Sequence, residues 1–447
     1  MLNGCVKDKV HEMQDLRVSE NCHYLCTADG KPFFWLGNTC WLLPQKTTRE
    51  DVDLLLDRTE EEGYNVIQVQ VLNGVPSTNA YGRLSNGDDF DFSFVDGEGA
   101  DGYWQHIDYI VDAAAKRGIY VGMVCIWGGL VKNGLMDIEQ AGRYGRFLAE
   151  RFRDEANIVW IIGGDIKGDI KPEVWNALAK SIKAIDDRHL MTFHPFGRTS
   201  SVRWFNDAEW LDFNMFQSGH RRYDQIRGDG DDLAQASVAE DNWRYVQEAL
   251  DASVTKPVLD GEPVYEDIPQ GLHDFSEPRW TADDCRRYAW WSVLAGSMGH
   301  TYGHNSIMQF HDGNGVGAYG AQRSWREALE DPGFAQMKYV KQLMDRFNSP
   351  ERVPAQDLVS DNGERYERVA VSSGPGFILA YTYTNSPFVL DCSSVPEPRT
   401  ASWYSTTDGT YSEPFEIGPD SCFQYPGPVG NGNDHVLVIT TATAGGR

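Results

Sequence analysis

The chain has 447 residues, which is too long for one ordinary domain and suits a large α/β barrel followed by one small domain. Its 40 basic and 66 acidic residues give a formal net charge of −26, so nucleic acid and anionic membrane surfaces, which both need a positive protein surface, are poor partners. Aromatic residues make up 12% of the chain, which leaves an aromatic-rich enzyme or a carbohydrate-binding protein as the two broad classes.

The beginning of the sequence contains no apolar segment typical of a secretory signal. No apolar run approaches the ~18 residues that a membrane helix needs. The eight cysteines are scattered along the chain, which favours reduced thiols over a disulfide framework, and Cys22 and Cys26 lack the second pair that a structural zinc requires. We therefore expect a cytoplasmic protein with no cofactor and no metal, and a leader trimmed from the sequence stays open as the alternative.

Segments with strand composition alternate with helical patterns from about residue 33 to about residue 345. The predicted strands are 33–37, 66–72, 119–127, 158–162, 190–194, 210–216, 257–260 and 300–303. The predicted helices are 48–62, 104–116, 138–153, 172–185, 233–250 and 282–295. Strand-then-helix units with almost continuously apolar strands predict an α/β protein with a closed parallel (β/α)8 TIM barrel.

The pattern changes after Pro350. Short β-rich runs at 366–372, 376–383, 401–404 and 435–441 are separated by Gly, Pro and Asn turns, which predicts a small all-β sandwich. We therefore divide the chain into a catalytic barrel over 1–350, with an N-terminal extension, and a C-terminal sandwich over 351–447. Because Trp403 and Tyr404 are adjacent in a predicted strand, one of them must point inward, and we favour a structural role for the sandwich over carbohydrate binding.

In such a barrel the reactive groups lie at the carboxyl ends of the strands. Asp165 follows the fourth strand and Glu262 follows the seventh, so the two carboxyl groups should face each other across a pocket. A carboxyl pair ~5–5.5 Å apart is what retaining glycoside hydrolysis requires. Asp165 follows two glycines and an apolar strand, a setting that could raise its pKa. Taken singly, Asp165 could instead cap a loop and Glu262 could pair with an arginine.

Other polar and aromatic residues at strand ends suit a sugar pocket. The candidates for hydrogen bonds to sugar hydroxyls are Asn38, His194, Gln217, His220 and His304, and the candidates for a stacking wall are Trp41 and Trp127. His194 could equally be a buried core histidine, and Trp127 could cap the barrel. Asp260 could tune Glu262 or be structural.

Four strings resemble the apiosidase-like glycoside hydrolase family 140, within the larger clan of retaining barrel glycosidases. They are LRVSE at 16–20, GKPFFWLGNTCW at 30–41, WIIGGD at 160–165 and PVLDGEP at 257–263, and the resemblance extends over essentially the whole chain. It implies that Asp165 is the general acid/base and Glu262 the nucleophile. The broader clan usually has Asn-Glu after strand four, so Gly164-Asp165 departs from the clan but agrees with the apiosidase-like group. Asn38 departs from the Asp that this group commonly has there.

The resemblance implies a retaining exo-glycosidase that cleaves a terminal β-apiosyl or related furanosyl residue from pectic chains or plant phenolic glycosides. The strong negative charge favours a small neutral glycoside or a trimmed oligosaccharide over an acidic polymer. A non-catalytic carbohydrate-binding protein and a glycosidase acting on another sugar stay open as alternatives. A metal-dependent barrel hydrolase is a further one, using His194, His220, His300 and His304. A homo-oligomer also stays open.

Several other motifs do not indicate a nucleotide, zinc or calcium site. Residues 315–320 match G-x-G-x-x-G but do not lie between a strand and a helix, so a dinucleotide site is not expected. No H-E-x-x-H string occurs, which removes the chemical basis for a zinc protease. Asp229, Asp231 and Asp232 favour a solvated loop, because the full calcium-loop pattern is missing.

Overall fold

The computed structural model describes residues 13–225 and 240–441. Asp229, Asp231 and Asp232 lie outside these residues, as does the first part of the helix predicted over 233–250. The described part of that helix is Trp243–Leu250.

A small antiparallel sheet precedes the barrel. Its strands are β1 (Leu16–Val18), β2 (Leu25–Thr27) and β3 (Pro32–Phe33), paired in that order. The ring of Phe33 packs edge-on against Tyr120 at 5.2 Å between centroids, so this extension is attached to the barrel through aromatic contact.

Eight parallel strands confirm the predicted TIM barrel. They are β4 (Trp35–Thr39), β5 (Val66–Gln70), β6 (Tyr120–Val124), β7 (Ile158–Ile166), β8 (Met191–Pro195), β10 (Asn214–Gln217), β11 (Val258–Asp260) and β12 (Gly299–Tyr302), with the short β9 (Thr199–Ser200) antiparallel to β10. The ring closes through the parallel pairing of β12 with β4. Between β8 and β10 the strands are joined by isolated hydrogen bonds rather than by a continuous ladder. One of them runs from Thr192 Oγ1 to the Phe213 carbonyl at 2.7 Å. The strands are buried almost throughout, which explains their unbroken apolar runs.

Helices cover the outside of the barrel. They are α1 (Leu43–Lys46), α2 (Arg49–Glu61), α3 (Tyr103–Lys116), α4 (Gly128–Lys132), α5 (Ile138–Phe152), α6 (Pro172–Lys183), α7 (Val202–Phe205), α8 (Trp243–Leu250), α9 (Ala282–Leu294), α10 (Asn305–Gln309), α11 (Trp325–Ala328) and α12 (Pro332–Arg346). Single turns of 3₁₀ helix occur at Asp88–Phe90, Val95–Gly97, Ala318–Gly320, Gln356–Leu358 and Arg365–Glu367. The start of α2 is fixed by a reciprocal capping box between Thr48 and Asp51. Proline at the first position starts α6 in the same predictable way.

The C-terminal region consists of two packed antiparallel sheets. Its strands are β13 (Val353–Pro354), β14 (Val359–Ser360), β15 (Val369–Gly374), β16 (Phe377–Thr382), β17 (Phe388–Asp391), β18 (Arg399–Ser405), β19 (Phe415–Glu416), β20 (Asp420–Phe423) and β21 (His435–Thr441). The larger sheet has the order β13-β15-β16-β21-β18-β19, and the smaller has β14-β17-β20. This is the predicted β-sandwich.

The larger sheet is buried on both faces. Ile378 and Leu437 point into the sandwich core, whereas Leu379 and Val438 belong to the same apolar cluster as the barrel. Trp403 likewise points into the sandwich core, whereas the next residue, Tyr404, belongs to the barrel cluster. The Tyr404 hydroxyl donates a hydrogen bond to the Tyr339 carbonyl at 2.9 Å. Because successive side chains of a strand point to opposite faces, this one sheet contributes to both the sandwich core and the barrel core.

A buried arginine marks the contact between barrel and sandwich. Arg287 of α9 is completely buried, and its Nη2 lies 2.7 Å from Glu240 and 3.2 Å from Asp284. Four aromatic rings surround its guanidinium at 4.9 to 5.1 Å, namely those of Tyr288, Trp291, Tyr366 and Tyr383. We call Arg287, its two carboxylates and these rings the interface cluster. Beside it, Arg286 binds Asp434 of the sandwich through two nitrogens, at 2.6 and 3.0 Å.

In the described part of the chain, no helix has both the length and the apolar character needed to cross a bilayer. The described cysteines are free thiols, and four of them are buried: Cys40, Cys125, Cys285 and Cys392.

Candidate active site

A cavity of about 440 Å³ opens at the carboxyl ends of the barrel strands. Every strand end contributes to its wall. The main contributors are Trp41, Gln70, Trp127, Asp165, Phe196, Arg198, Gln217, His220, Arg221, Glu262, Tyr265, His273 and Tyr319. The two predicted carboxyl groups, Asp165 and Glu262, thus face the same space.

Glu262 is held by two histidines. Its Oε1 lies 3.0 Å from His220 Nε2, and its Oε2 lies 3.2 Å from His194 Nε2. The side chain is only 7% exposed, and burial alone would raise its pKa. The two imidazoles outweigh burial and lower the pKa of Glu262 to about 2. Glu262 is therefore an anion at neutral pH.

The backbone before Glu262 is fixed from both sides of the barrel wall. Gln68 Nε2 donates to the Gly261 carbonyl at 2.9 Å from inside. Asp260 is completely buried and accepts hydrogen bonds from Ser218 Oγ at 2.6 Å and Asn242 Nδ2 at 3.2 Å. Asp260 therefore has a structural role in anchoring the strand end.

Asp165 is directed into the cavity by an irregularity in β7. The register between β7 and β8 shifts between Gly163 and Ile166, and Gly163, Gly164 and Asp165 have φ of 90°, 113° and 49°. A Cβ on Gly163 would lie 2.6 Å from the His194 carbonyl, and one on Gly164 would lie 2.8 Å from the Trp127 ring. Glycine is therefore required at both positions, and the bulge turns the next side chain toward the cavity.

The surroundings of Asp165 favour its protonated form. Burial, and then the negative charge of Glu262, raise its pKa to about 6. The backbone N–H of Gly197 offers its carboxyl a long contact of 3.4 Å. Two carboxyl groups in one cavity thus have pKa values moved in opposite directions, which is how an acid and an anion are kept apart at one pH.

His194 connects the two carboxyl residues. Its Nδ1 accepts the backbone N–H of Asp165 at 3.2 Å, so the ring hydrogen resides on Nε2, which faces Glu262. The ring is completely buried and meets Trp41 edge-on at 5.4 Å. His194 therefore lies behind the cavity wall and positions the carboxyl groups.

Aromatic side chains form one side of the cavity. The ring centroids of Trp41 and Trp127 lie 5.6 Å apart, and Trp41 Nε1 donates to the Tyr265 hydroxyl at 3.0 Å. Tyr265 also packs edge-on against His220 at 4.6 Å. Gln217 lines the cavity too, and its Oε1 has no hydrogen-bond partner among the described residues.

Three of the predicted sugar ligands do not line the cavity: His194, described above, and also Asn38 and His304. Asn38 is completely buried and is paired in the barrel ladder with Ile67 and Tyr302. Tyr302 packs on Phe334 of α12, which places this set of side chains on the helix side of the strands. The expectation for Asn38 assigned it to the wrong face of β4.

His304 likewise faces away from the cavity. Its Nε2 lies 2.9 Å from Asp331, and its Nδ1 accepts the Ser306 N–H at 3.0 Å as the cap of α10. His194 and His220 therefore converge on Glu262, whereas His304 does not join them. Within the residues that the structure covers, no group of three or more His, Cys, Asp and Glu side chains could hold a metal ion.

Several cavity residues were not predicted from the sequence. They are Gln70, Phe196, Arg198, Arg221, Tyr265, His273 and Tyr319. Tyr265 follows Glu262 by three positions, and Arg198 follows the end of β8 by three. Examining each loop for several residues beyond its strand would have found both.

Comparisons with known proteins identify the family of the chain. The family model described as "Apiosidase-like, catalytic domain" matches residues 19–351, and the model described as "Putative collagen-binding domain of a collagenase" matches residues 353–440. A solved structure described as a glycoside hydrolase is 52% identical, with a TM-score of 0.93 over 97% of this chain and 98% of that one. A glycoside hydrolase family 5 structure from Bacteroides vulgatus is also 52% identical, with a TM-score of 0.92 over 96% of this chain and 94% of that one.

A curated relative is more distant. Mannan endo-1,4-beta-mannosidase F from Aspergillus clavatus is 27% identical over 192 residues, which are 37% of this chain. The match spans less than half of the mannosidase, 43% of its length. The family match over most of the barrel, together with the near-complete structural matches, shows that the chain belongs to the apiosidase-like glycoside hydrolases.

Proposed function

We propose that this glycoside hydrolase removes a terminal β-apiosyl or related furanosyl residue from a plant-derived glycoside or oligosaccharide, with retention of configuration. The observation that carries the proposal is the pair of carboxyl groups facing one cavity, with pKa values of about 6 for Asp165 and about 2 for Glu262. A retaining glycosidase needs one protonated acid and one ionised nucleophile, and this pair supplies both between about pH 2 and pH 6.

The first step forms a covalent intermediate. The Asp165 carboxyl donates its proton to the glycosidic oxygen, the bond from that oxygen to the anomeric carbon breaks, and the aglycone leaves as an alcohol. The Glu262 carboxylate attacks the anomeric carbon and forms a glycosyl ester.

The second step releases the sugar. Asp165, now a carboxylate, takes a proton from a water molecule, whose oxygen attacks the anomeric carbon. The bond to Glu262 breaks, and Glu262 returns to its carboxylate form while Asp165 is again protonated. The net reaction is hydrolysis with two inversions.

The histidines support Glu262 in both steps. Because His194 and His220 contact separate oxygens of the carboxylate, they fix its orientation and keep it ionised below neutral pH. They also stabilise the carboxylate as the leaving group of the second step.

The shape of the cavity supports exo action. Wall residues come from all around the barrel mouth, and a volume of about 440 Å³ suits one sugar ring and part of its aglycone. A polysaccharide bound along its length would need a cleft open at two ends. The tryptophan pair, Trp41 and Trp127, offers the flat apolar surface that a sugar ring packs against.

The local charge widens the range of aglycones. Two arginines, Arg198 and Arg221, lie on the cavity wall, so a uronic acid next to the cleaved sugar is compatible with the site. The net charge of −26 alone favours a neutral glycoside. The substrate screen therefore needs both neutral and acidic aglycones.

The decisive experiment is a screen of aryl β-furanosides and β-pyranosides, including apioside and mannoside, with the anomer of the first product followed by proton NMR. We expect the apioside to be cleaved fastest, with the β-anomer appearing first. Initial release of the α-anomer would contradict the retaining mechanism. Preferential cleavage of a pyranoside would contradict the sugar assignment.

A further inference from the structure

The glycine-rich string at residues 315–320 has a different use from nucleotide binding. It lies in the loop that follows α10, and Gly315, Tyr319 and Gly320 all have positive φ, at 71°, 51° and 68°. The left-handed region is unfavourable for a tyrosine, which has a Cβ. The two glycines let the chain turn on either side of Tyr319, so the loop must hold this one residue in place by other contacts.

Three consecutive carbonyl groups supply those contacts. Gln309 Nε2 donates to the Ala318 carbonyl at 2.9 Å, and Asn305 Nδ2 donates to the Tyr319 carbonyl at 2.9 Å. Arg279 Nη2 donates to the Gly320 carbonyl at 2.6 Å. Two of the donors, Asn305 and Gln309, are the first and last residues of α10, and the third, Arg279, precedes α9. A strained residue held in this way indicates a functional site.

The side chain of Tyr319 lies on the wall of the active-site cavity. It is partly buried, and burial, followed by the charges of Asp165 and Glu262, raises its pKa. Its ring centroid is 6.0 Å from that of His273, which also lines the cavity. The phenol is therefore protonated at neutral pH, and it is close enough to both carboxyl groups to interact with them electrostatically.

The phenol hydroxyl has no partner within the described part of the protein. The hydrogen bond recorded for Tyr319 uses its backbone carbonyl. By contrast, the hydroxyl of Tyr265 accepts from Trp41. A framework that fixes Tyr319 but leaves its hydroxyl unused is suited to binding a ligand.

We propose that Tyr319 contacts the substrate, with its hydroxyl forming a hydrogen bond to a hydroxyl group of the sugar bound between Asp165 and Glu262. This inference rests on the proposed function only in that the sugar occupies this cavity. It does not depend on which sugar is cleaved or on retention.

The test combines Tyr319→Phe with substrates that lack one sugar hydroxyl at a time. The reference is the aryl glycoside that the parent enzyme cleaves best, whichever sugar it carries. Tyr319→Phe should lower kcat/KM on this substrate about 5- to 30-fold, the effect of one lost hydrogen bond. For one deoxy analogue the substitution should cause no further loss, because the partner hydroxyl is already absent. The Kd of the free sugar, measured calorimetrically, gives the same comparison without turnover.

Two further variants keep the test specific. Tyr411→Phe, in the sandwich, removes a hydroxyl that does not line the cavity and should leave kcat/KM unchanged. Asn305→Ala, which frees the Tyr319 carbonyl, should reproduce the loss on the reference substrate. Tyr319→Phe with unchanged kcat/KM and Kd, or with losses that multiply for every deoxy analogue, would overturn the inference. A pyranoside as the best substrate, or an α-anomer product, would overturn the proposed function and leave this inference standing.

Discussion

The barrel mouth and the interface cluster are built from similar materials. Both hold charged groups among aromatic rings: Glu262 beside Trp41 and Tyr265 in the mouth, and Arg287 beside Glu240 in the cluster. In the cluster the cation is 0% exposed and is enclosed by carboxylates and rings. In the mouth the carboxyl groups face an open cavity, and Asp165 is partly exposed.

This difference indicates that the charges of the interface cluster serve stability, whereas those of the barrel mouth serve function. The interface charges have partners that stay in place, so removing one leaves a buried charge uncompensated. The mouth keeps Asp165 short of partners and raises its pKa, a state that costs stability and fits the proton transfer that we propose for this residue. The aromatic content of 12% therefore serves two purposes that composition cannot distinguish.

Replacing Glu262, the proposed nucleophile, should have the largest effect on turnover. Glu262→Ala should lower kcat more than about 10⁴-fold, because no covalent intermediate can form. The variant should stay folded with a modestly lower melting temperature, because the histidine contacts that outweigh the burial of Glu262 are lost. Added azide should restore turnover and give the α-glycosyl azide. Glu262→Gln, the matched variant that keeps the shape, should be equally inactive, and parental turnover in either variant would contradict the assignment.

Removing the acid should have an effect that depends on the leaving group. Asp165→Ala should lower kcat/KM about 10²- to 10⁴-fold on an alkyl glycoside, the usual contribution of a general acid. A dinitrophenyl glycoside, whose aglycone leaves without protonation, should lose much less in kcat/KM. Azide should give the β-glycosyl azide with this variant. Equal losses on both substrates would show that Asp165 does not protonate the aglycone.

Removing the buried cation of the interface cluster should affect stability alone. Arg287→Met should lower the free energy of unfolding by about 3–5 kcal/mol, because Glu240 is left buried without its cation. Arg346→Met is the control: this exposed arginine lies over the Tyr411 ring, and its loss should cost less than about 1 kcal/mol. Chemical denaturation measures both. If Arg287→Met lowers kcat/KM of the folded enzyme instead, the two regions are not separate in function.

The pH profile should show the smallest effect. The pKa of Asp165 is about 6, so kcat/KM should fall about tenfold per pH unit above pH 6 as the acid loses its proton. On the acid side, activity should persist until Glu262 is protonated near its pKa of about 2, unless unfolding comes first. Asp165→Ala, assayed with the dinitrophenyl glycoside, should lack the fall on the basic side. A basic limb retained in that variant would assign it to another group.

The sequence predicted the barrel because its strands are buried on both faces, as in β6 and β7, and because caps such as Thr48 mark the helix starts. The short strands β1 to β3 have too few residues for a visible alternation. The placement of Asp165 and Glu262 on the cavity was predictable because the polar groups of this fold meet at the strand ends.

The remaining site residues depend on features that one sequence does not reveal. Asn38 and His304 also lie near strand ends, but the side of the strand on which each lies is set by local geometry. Tyr265 and Tyr319 reach the cavity through loops whose paths are fixed by distant donors such as Asn305. The pKa of Asp165 depends on a cavity that only the folded chain creates.

The larger sheet of the sandwich has a consequence for how this enzyme can be divided. One face of that sheet supplies Leu379, Tyr381 and Val438 to the apolar cluster of the barrel, and Tyr381 stacks on Trp290 of α9 at 5.9 Å. Expressing residues up to 350 alone would leave Trp290 and its neighbours uncovered, a surface prone to aggregation. For engineering and for exchange of modules between relatives, the indivisible unit is barrel plus sheet, although the two family models meet at the boundary between them.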